Sequence, residues 1–442
     1  MSDADAIVIG AGAAGLGAAL ELQARGSEVL VLDAGDRPGG VVRSERSEGF
    51  LIERGPGTTR LPAGAVALFQ RAGLEAALLK ASPESTARFL LRSEGLVPVP
   101  LSPLGLVRTP LLSGAGKRRL LREPFVARGD GAAESVAAFV ERRLGREALE
   151  ALIAPFLLGV YAGDERALGA EAVFPTLVAA EREGGSIARG LLRRALSGGG
   201  VRGFPGTWSA REGLGGLAAL LARGLGEGLQ LGARVRALVP EADGWRVELG
   251  ERVLRARRVV LATDAAGAAE LLAPLDPEAA AFQRALPFAP LVSVALALEP
   301  AATAHPITGF GFLVPRDQRL DLLGALFMSR LFPGRAPAGQ ELVTAMLGGL
   351  RWPGAVDAPD DELLRRVHAG LDRALGLRAT PRTLALTRWA RAVPQPGPGH
   401  VGAVRAIRAR LATRSPPLAL AGACWDGVAL GETLAAGARA AR

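Results

Sequence analysis

Cysteine is nearly absent from this sequence: Cys424 stands alone. A single thiol excludes an intrachain disulfide and a cysteine-based zinc cluster. Histidine is almost as scarce, and His305, His368 and His400 are too far apart in sequence to suggest a metal site. The longest apolar stretches, 151–163 and 286–298, fall short of the ~18 residues of a membrane-spanning helix. No transmembrane segment is expected. Asp3 and Asp5 precede the first apolar run, which argues against a secretory signal and for an intracellular, cytoplasmic protein. Lysine is confined to Lys80 and Lys117, so the net charge of +9 rests on arginine. Those arginines are scattered and Tyr161 is the sole tyrosine, so nucleic acid is not expected as a partner.

What is present begins at residues 6–33. An apolar run of strand length, 6–9, enters the turn Gly10-Ala11-Gly12-Ala13-Ala14-Gly15, and helix-favouring residues continue to about Arg25. A second apolar run, 29–32, ends on Asp33, so a whole βαβ unit is legible around the glycines. Gly10 permits the tight turn, Gly12 lets backbone approach a pyrophosphate, and Gly15 lets the helix pack closely on the strand. The helix N-terminus favours anionic phosphate, and Asp33 can accept from a ribose diol. Ala13, Ala14 and Ala34 belong to the same expected dinucleotide cradle. Beyond it, Arg37-Pro38-Gly39-Gly40-Val41 brings a second glycine pair close to the cofactor, with Arg37 or Arg43 facing its phosphates.

A chain of 442 residues suits two or three domains. Residues 62–195 read as largely helical, with apolar spacing at Ala65, Leu68, Phe69 and Ala72 and again over 133–144. Within that region, residues 101–128 mix apolar residues with Arg108, Lys117, Arg118, Arg119, Arg122 and Arg128. That composition fits either a solvated basic face or a surface resting on anionic lipid. Gly198-Gly199-Gly200 reads as a flexible connection. Strands are expected over 231–238, 245–249, 259–263, 291–298, 309–314, 322–328 and 342–347, and a helix over 360–375. Residues 418–422 read as a last buried strand, leading through a second glycine turn into an alanine-rich helix whose N-terminus can face the pyrophosphate.

These segments resemble the protoporphyrinogen oxidases, FAD-dependent porphyrinogen oxidases of the amine-oxidase-like flavoprotein superfamily. The resemblance is carried by Arg37-Pro38-Gly39-Gly40, Gly55-Pro56-Gly57, Gly159-Val160-Tyr161-Ala162-Gly163-Asp164, Phe174-Pro175, residues 309–315, Phe332-Pro333, Pro394-Gln395 with Gly399-His400, and Gly427-Val428-Ala429. It implies an α/β fold: a Rossmann-like FAD-binding domain (1–60, 205–275 and 385–442), a mixed-sheet substrate domain (80–100 and 276–384) and a helical, membrane-associating domain (61–79 and 101–204). FAD is the implied cofactor, and Val235, Thr263, Trp389, Gly422, Val428 and Ala429 join the cofactor-binding set. No metal is implied.

By the same resemblance Arg88 pairs with a porphyrinogen propionate, Leu313, Leu326 and Met346 sandwich the macrocycle, and the Gly159 carbonyl positions it. The implied reaction is oxidation of protoporphyrinogen IX to protoporphyrin IX by three hydride transfers to the flavin, with molecular oxygen reduced to hydrogen peroxide. No acid or base residue is assigned. The implied location is the inner face of the cell membrane, held peripherally, with a homodimer or a ferrochelatase contact as further partners. Alternatives are oxidation of coproporphyrinogen III to coproporphyrin III, an FAD amine oxidase or desaturase, and a flavin-binding protein without catalysis. Three positions depart from the commoner pattern: Asp33 stands where Glu is frequent, Ala423 where part of the family has Asn, and Pro396 where an aromatic is frequent.

Overall fold

The computed structural model describes residues 2–131, 133–197 and 203–442; the Gly198–Gly200 connection lies outside them. Two seven-stranded sheets organise the chain. In the first, strand Ala4–Ile9 pairs in parallel with Val29–Leu32 on one side and with Arg252–Leu261 on the other. The long Arg252–Leu261 strand is shared: its first half pairs antiparallel with Gly244–Leu249, its last three residues in parallel with Leu418–Leu420. The short strand Leu229–Gln230 extends the sheet beyond Val29–Leu32. One sheet is thus assembled from segments more than 400 residues apart, and its short parallel strands Ala4–Ile9, Val29–Leu32 and Leu418–Leu420 are apolar runs with almost every residue buried, as parallel strands require.

Helix Ala13–Ala24 covers this sheet and lies against the closing helix Leu430–Ala440. Glycine permits that approach. A Cβ on Gly17 would overlap the Leu434 carbonyl, and one on Gly437 would overlap the Ala14 carbonyl. Arg442 at the end of the last helix pairs with Glu21 near the end of the first, and the Ala441 carbonyl accepts from Arg258, opposite Ala6 at the base of the sheet, so the two helices run in the same direction and the N-terminus at Leu430 lies at the same end as Gly12. At that end it packs on Thr59 and Arg60, with the Gly431 N–H donating to Thr59 Oγ1 at 3.0 Å.

The second sheet runs in the order Arg382–Pro394, Phe288–Leu298, Glu341–Gly348, Leu322–Phe327, Gly311–Leu313, Arg88–Arg92, Gly95–Pro98. It is mixed, because Gly311–Leu313 pairs in parallel with Arg88–Arg92 while its other neighbours are antiparallel. One face packs through Val292, Val294, Phe312, Ala325, Val343 and Ala345 on the apolar stripe of helix Asp360–Leu375, at Leu363, Val367 and Leu371.

The expected strand over 231–238 is replaced by Leu229–Gln230, a loop, and Ala237–Glu241. Gly232 and Ala233 donate to the carbonyls of Gly35 and Asp33, so their backbone is committed to the loop after Asp33 rather than to a ladder. Along the chain, helices from Pro103–Arg108 to Ile187–Leu196 follow the Gly95–Pro98 strand. Their centre is ionic: Arg143, fully buried, binds the Glu123 carboxylate and the Val126 carbonyl (3.0 Å), and Glu123 also accepts from the N–H groups of Ile187 and Ala188 at the start of the last helix. Among the described residues no helix is long and apolar enough to cross a membrane.

Candidate active site

The opening glycines divide their work as their positions predict. Gly10 has φ +106°, and a Cβ there would stand 2.5 Å from the Ala262 carbonyl oxygen. A Cβ on Gly15 would overlap the Gly10 carbonyl, whereas a Cβ on Gly12 would have nothing within 4 Å. Gly12 is therefore the one glycine of the three that faces open space, at an N-terminus with no side-chain cap and no acidic residue in its first turn. Its free N–H groups form an anion site.

Asp33 sits beside this turn. One carboxylate oxygen accepts from Ala11 N at 2.6 Å and the other from Gly35 N at 2.7 Å. Those two bonds leave acceptor capacity for a diol. Val235, in the loop whose Ala233 N–H meets the Asp33 carbonyl at 2.7 Å, closes the same end; Ala34 lies exposed next to it.

The second glycine pair packs directly on the first. Gly39 bridges to Gly12, its N–H donating to the Ala11 carbonyl at 2.8 Å, and both Gly39 and Gly40 have positive φ. Arg37 is held differently from expectation: its guanidinium donates to the carbonyls of Pro38, Gly40 and Val42 and so ties the loop to itself. Thr263 and Gly422 line the other side of the turn, Thr263 N lying 3.2 Å from a Cβ on Gly10 and the Thr263 carbonyl 3.7 Å from one on Gly422. Val428 and Ala429 precede the last helix, whose Gly431 N–H is held by the Thr59 hydroxyl of the Thr59–Pro62 strand.

From this cradle a strip of backbone leads to the second sheet. Val41 is half exposed, and a Cβ on Gly55 would overlap its carbonyl. The Trp389 indole N–H donates to the Arg54 carbonyl at 3.0 Å. Pro56 is followed by Gly57, where a Cβ would lie 3.2 Å from Met328 and 3.8 Å from Leu326. Leu326 in turn opposes Gly311, and Gly311 opposes Arg88.

The free face of the second sheet is where the expected substrate residues meet. Cross-strand register aligns Leu313, Gly324, Met346 and Ser293 in one row and Arg88, Gly311, Leu326 and Thr344 in the next, all on one side of the pleat. In the otherwise buried strands Gly311–Leu313, Leu322–Phe327 and Glu341–Gly348, only Leu313, Leu326 and Met346 keep part of their surface. That residual exposure outlines a slot in an apolar wall. Helix Ala154–Tyr161 forms the opposite side, with Gly159 so close to Leu313 that a Cβ would overlap it and Leu158 packed near Met346.

Arg88 stands at one end of the slot. Its guanidinium lies 4.3 Å from the Phe310 ring centre and has no carboxylate partner among the described residues. Burial, and then the charge of Arg60, pull its pKa below the usual arginine value. An unpaired, partly desolvated cation of this kind attracts an anion. The sequence reading missed Arg60, although it follows Gly57 by three residues, and Ser293, the lone polar side chain of the Phe288–Leu298 strand.

The parts fit FAD. An open Gly12 cradle, an acid with free acceptor capacity and a glycine strip leading to a slot match, in order, a pyrophosphate, a ribose and an isoalloxazine ring. The histidines stand apart: His400 meets the Cys424 carbonyl at 3.1 Å, and His368 lies on the helix behind the sheet. The Cys424 thiol, pushed up to about 12 by burial, is inert at neutral pH.

Comparison with known proteins agrees. The family described as flavin containing amine oxidoreductase matches residues 13–442. The chain is 33% identical to human protoporphyrinogen oxidase over 98% of its own length and 97% of the human protein. It is 31% identical to the chloroplastic protoporphyrinogen oxidase 1 of Spinacia oleracea, over 97% of this chain and 82% of that one. A crystal structure from Exiguobacterium sp. 255-15, provisionally named a protoporphyrinogen oxidase, superposes with a TM-score of 0.79 at 25% identity, covering 99% of this chain and 98% of that one. Cyclohexylamine oxidase from Brevibacterium oxydans shares the fold at 19% identity and a TM-score of 0.71, over 99% of this chain and 98% of its own.

Proposed function

The chain belongs to the flavin-containing amine oxidoreductases, in the family of the protoporphyrinogen oxidases, and from that premise we propose that it oxidises protoporphyrinogen IX to protoporphyrin IX. The observation that carries the reading is the position of Gly57, where an added Cβ would lie 3.8 Å from Leu326, which brings the cofactor strip up to the slot. FAD, when bound, supplies the two-electron acceptor for the C–H bonds of the substrate's methylene bridges, and molecular oxygen restores it.

The protein's own part is positioning. Arg88, with Arg60 adding positive charge nearby, anchors propionate at one end of the slot. Leu313, Leu326 and Met346 hold the macrocycle and keep water from it, and Gly159 admits it close to the helix backbone. No side chain of the slot needs to move a proton for hydride to leave, because the cation left behind is delocalised into the flanking pyrroles.

The Met346 end of the slot packs among Leu158, Ala162, Leu291, Leu323 and Val393. Carboxylates on one edge of the substrate fit this asymmetry better than the four of coproporphyrinogen III. Turnover of the two substrates side by side checks the choice. The decisive experiment adds protoporphyrinogen anaerobically to the holoprotein: the flavin absorbance is expected to bleach, and an unchanged spectrum defeats the reading.

The three-part domain division and a peripheral seat on the inner face of the cell membrane belong to the same proposal. Leu104, Val107, Leu121 and Phe125 are exposed on the helical region, Phe125 to 82%, beside Arg108, Lys117, Arg118 and Arg122, which make no ion pair among the described residues. Apolar side chains flanked by unpaired cations suit an anionic lipid surface. Arg119 is the exception, donating to the carbonyls of Arg142 (2.6 Å) and Arg143 (3.0 Å).

A further inference from the structure

Helix Ala154–Tyr161 carries one wall of the slot, and its position is set at its C-terminal end. The last carbonyls of a helix have no partner within it. Here the chain turns sharply at Ala162, in the left-handed region at φ +48°, and the Ala162 carbonyl accepts from Leu350 N at 2.8 Å. The Tyr161 carbonyl is met by a side chain from a segment more than 230 residues away: the Gln395 amide nitrogen donates to it at 2.8 Å.

The same nitrogen donates to the Val393 carbonyl at 3.0 Å, and the Gln395 backbone N–H reaches the Pro287 carbonyl at 2.9 Å. Two carbonyl partners fix which end of the amide is nitrogen. Its oxygen then faces Gly163, where any Cβ would overlap it. Gln395 is only 5% exposed, so none of these bonds competes with bulk water.

The geometry points to Gln395 as a positioning residue that fixes the width of the substrate slot, by tying the end of the Gly159 helix to the sheet edge beside Val393. The distances are short in sequence terms. Gly159 against Leu313 and Leu158 near Met346 lie two and three residues before the Tyr161 carbonyl. Releasing that carbonyl loosens the wall while leaving the slot's lining residues and the cofactor cradle unchanged.

The inference rests on the porphyrinogen reading. Two variants test it: Gln395→Asn, which keeps the amide but withdraws it by one methylene, and Gln395→Leu, which removes the donor at similar size. In either, KM for protoporphyrinogen is expected to rise on the order of tenfold with kcat within about threefold of wild type and flavin content unchanged. Gly163→Ala, which pushes on the amide oxygen, is expected to reproduce the effect, and the Gly163→Ala/Gln395→Leu double variant to add little to either alone.

Amide hydrogen exchange over 154–163 reads the clamp without turnover and is expected to speed up in both Gln395 variants. Wild-type KM with wild-type exchange overturns the inference. Loss of flavin in both variants overturns it too, since Gln395 is then a folding residue. An inactive wild type defeats the functional reading instead, and the exchange data still decide the clamp.

Discussion

Gly12 and Gly15 are three residues apart in one motif, yet the structure assigns them opposite responses to the same added methyl group. A Cβ on Gly12 meets nothing within 4 Å, and its backbone, at φ −71° and ψ −177°, is open to any residue. Gly12→Ala should therefore leave the apoprotein's stability within about 1 kcal/mol of wild type, the lower entropy of the unfolded chain offsetting a weaker N-cap. The methyl group projects where the pyrophosphate approaches. Losing one charge-assisted hydrogen bond there costs about 1.5–3 kcal/mol, or roughly 10- to 100-fold in FAD affinity.

At Gly15 the added carbon overlaps the Gly10 carbonyl, so helix and strand must separate. Overpacking against backbone costs about 1–3 kcal/mol or more. Gly15→Ala should lower the melting point of the apoprotein itself. Thermal unfolding of flavin-free protein and a fluorescence titration with FAD, run on both variants, separate the two effects. Normal FAD affinity in Gly12→Ala refutes the cradle, and an apoprotein destabilised as much as Gly15→Ala refutes the open space.

Arg88→Ala should lower kcat/KM for protoporphyrinogen roughly 10- to 100-fold, mostly through KM, because it removes a charge-assisted contact; flavin content should not change, and unaltered kinetics would remove Arg88 from the site. Glu53 and Arg335 form a buried pair, with Glu53 also accepting from Leu214 N at 3.0 Å. Glu53→Ala leaves the guanidinium unpaired and should cost about 3–5 kcal/mol in denaturant unfolding.

Burial holds the His400 pKa below its ordinary value of 6.5, partly countered by the Cys424 carbonyl. Below pH 6.5 the unfolded chain takes up a proton that the folded state resists, so stability should fall as pH drops from 6.5 towards the folded pKa. His400→Gln should flatten that slope, read as denaturant midpoints from pH 7.5 to 5. Leu121→Glu with Phe125→Glu should weaken co-sedimentation with anionic vesicles while turnover of dissolved substrate is kept.

The cradle was legible in the sequence because each of its glycines answers to a local need, a turn or a close approach, visible within thirty residues. The proposed substrate slot was legible only through resemblance: Leu313, Leu326 and Met346 look like core residues until the register of four strands sets them on one face. The buried Arg143 and Arg335 were out of reach for the opposite reason. An arginine in a charged stretch reads as solvated, and its burial depends on Glu123 and Glu53, which the fold brings from 20 and 282 residues away. Arg37 was expected at a phosphate and instead braces its own loop, a choice that composition cannot express.

The joining of the first helix to the last, backbone against backbone at Gly17 and Gly437, bears on how the protein is made. Residues 4–9 leave the ribosome long before residues 252–261 and 418–420, which the sheet they enter needs, and before 430–440, on which the helix they feed packs. Contacts so distant along the chain form late. A nascent chain carrying every residue of the nucleotide turn still lacks a nucleotide site, and cofactor loading has to await those later segments. A stop codon just before residue 418 would thus erase flavin binding while leaving the fingerprint that announces it intact.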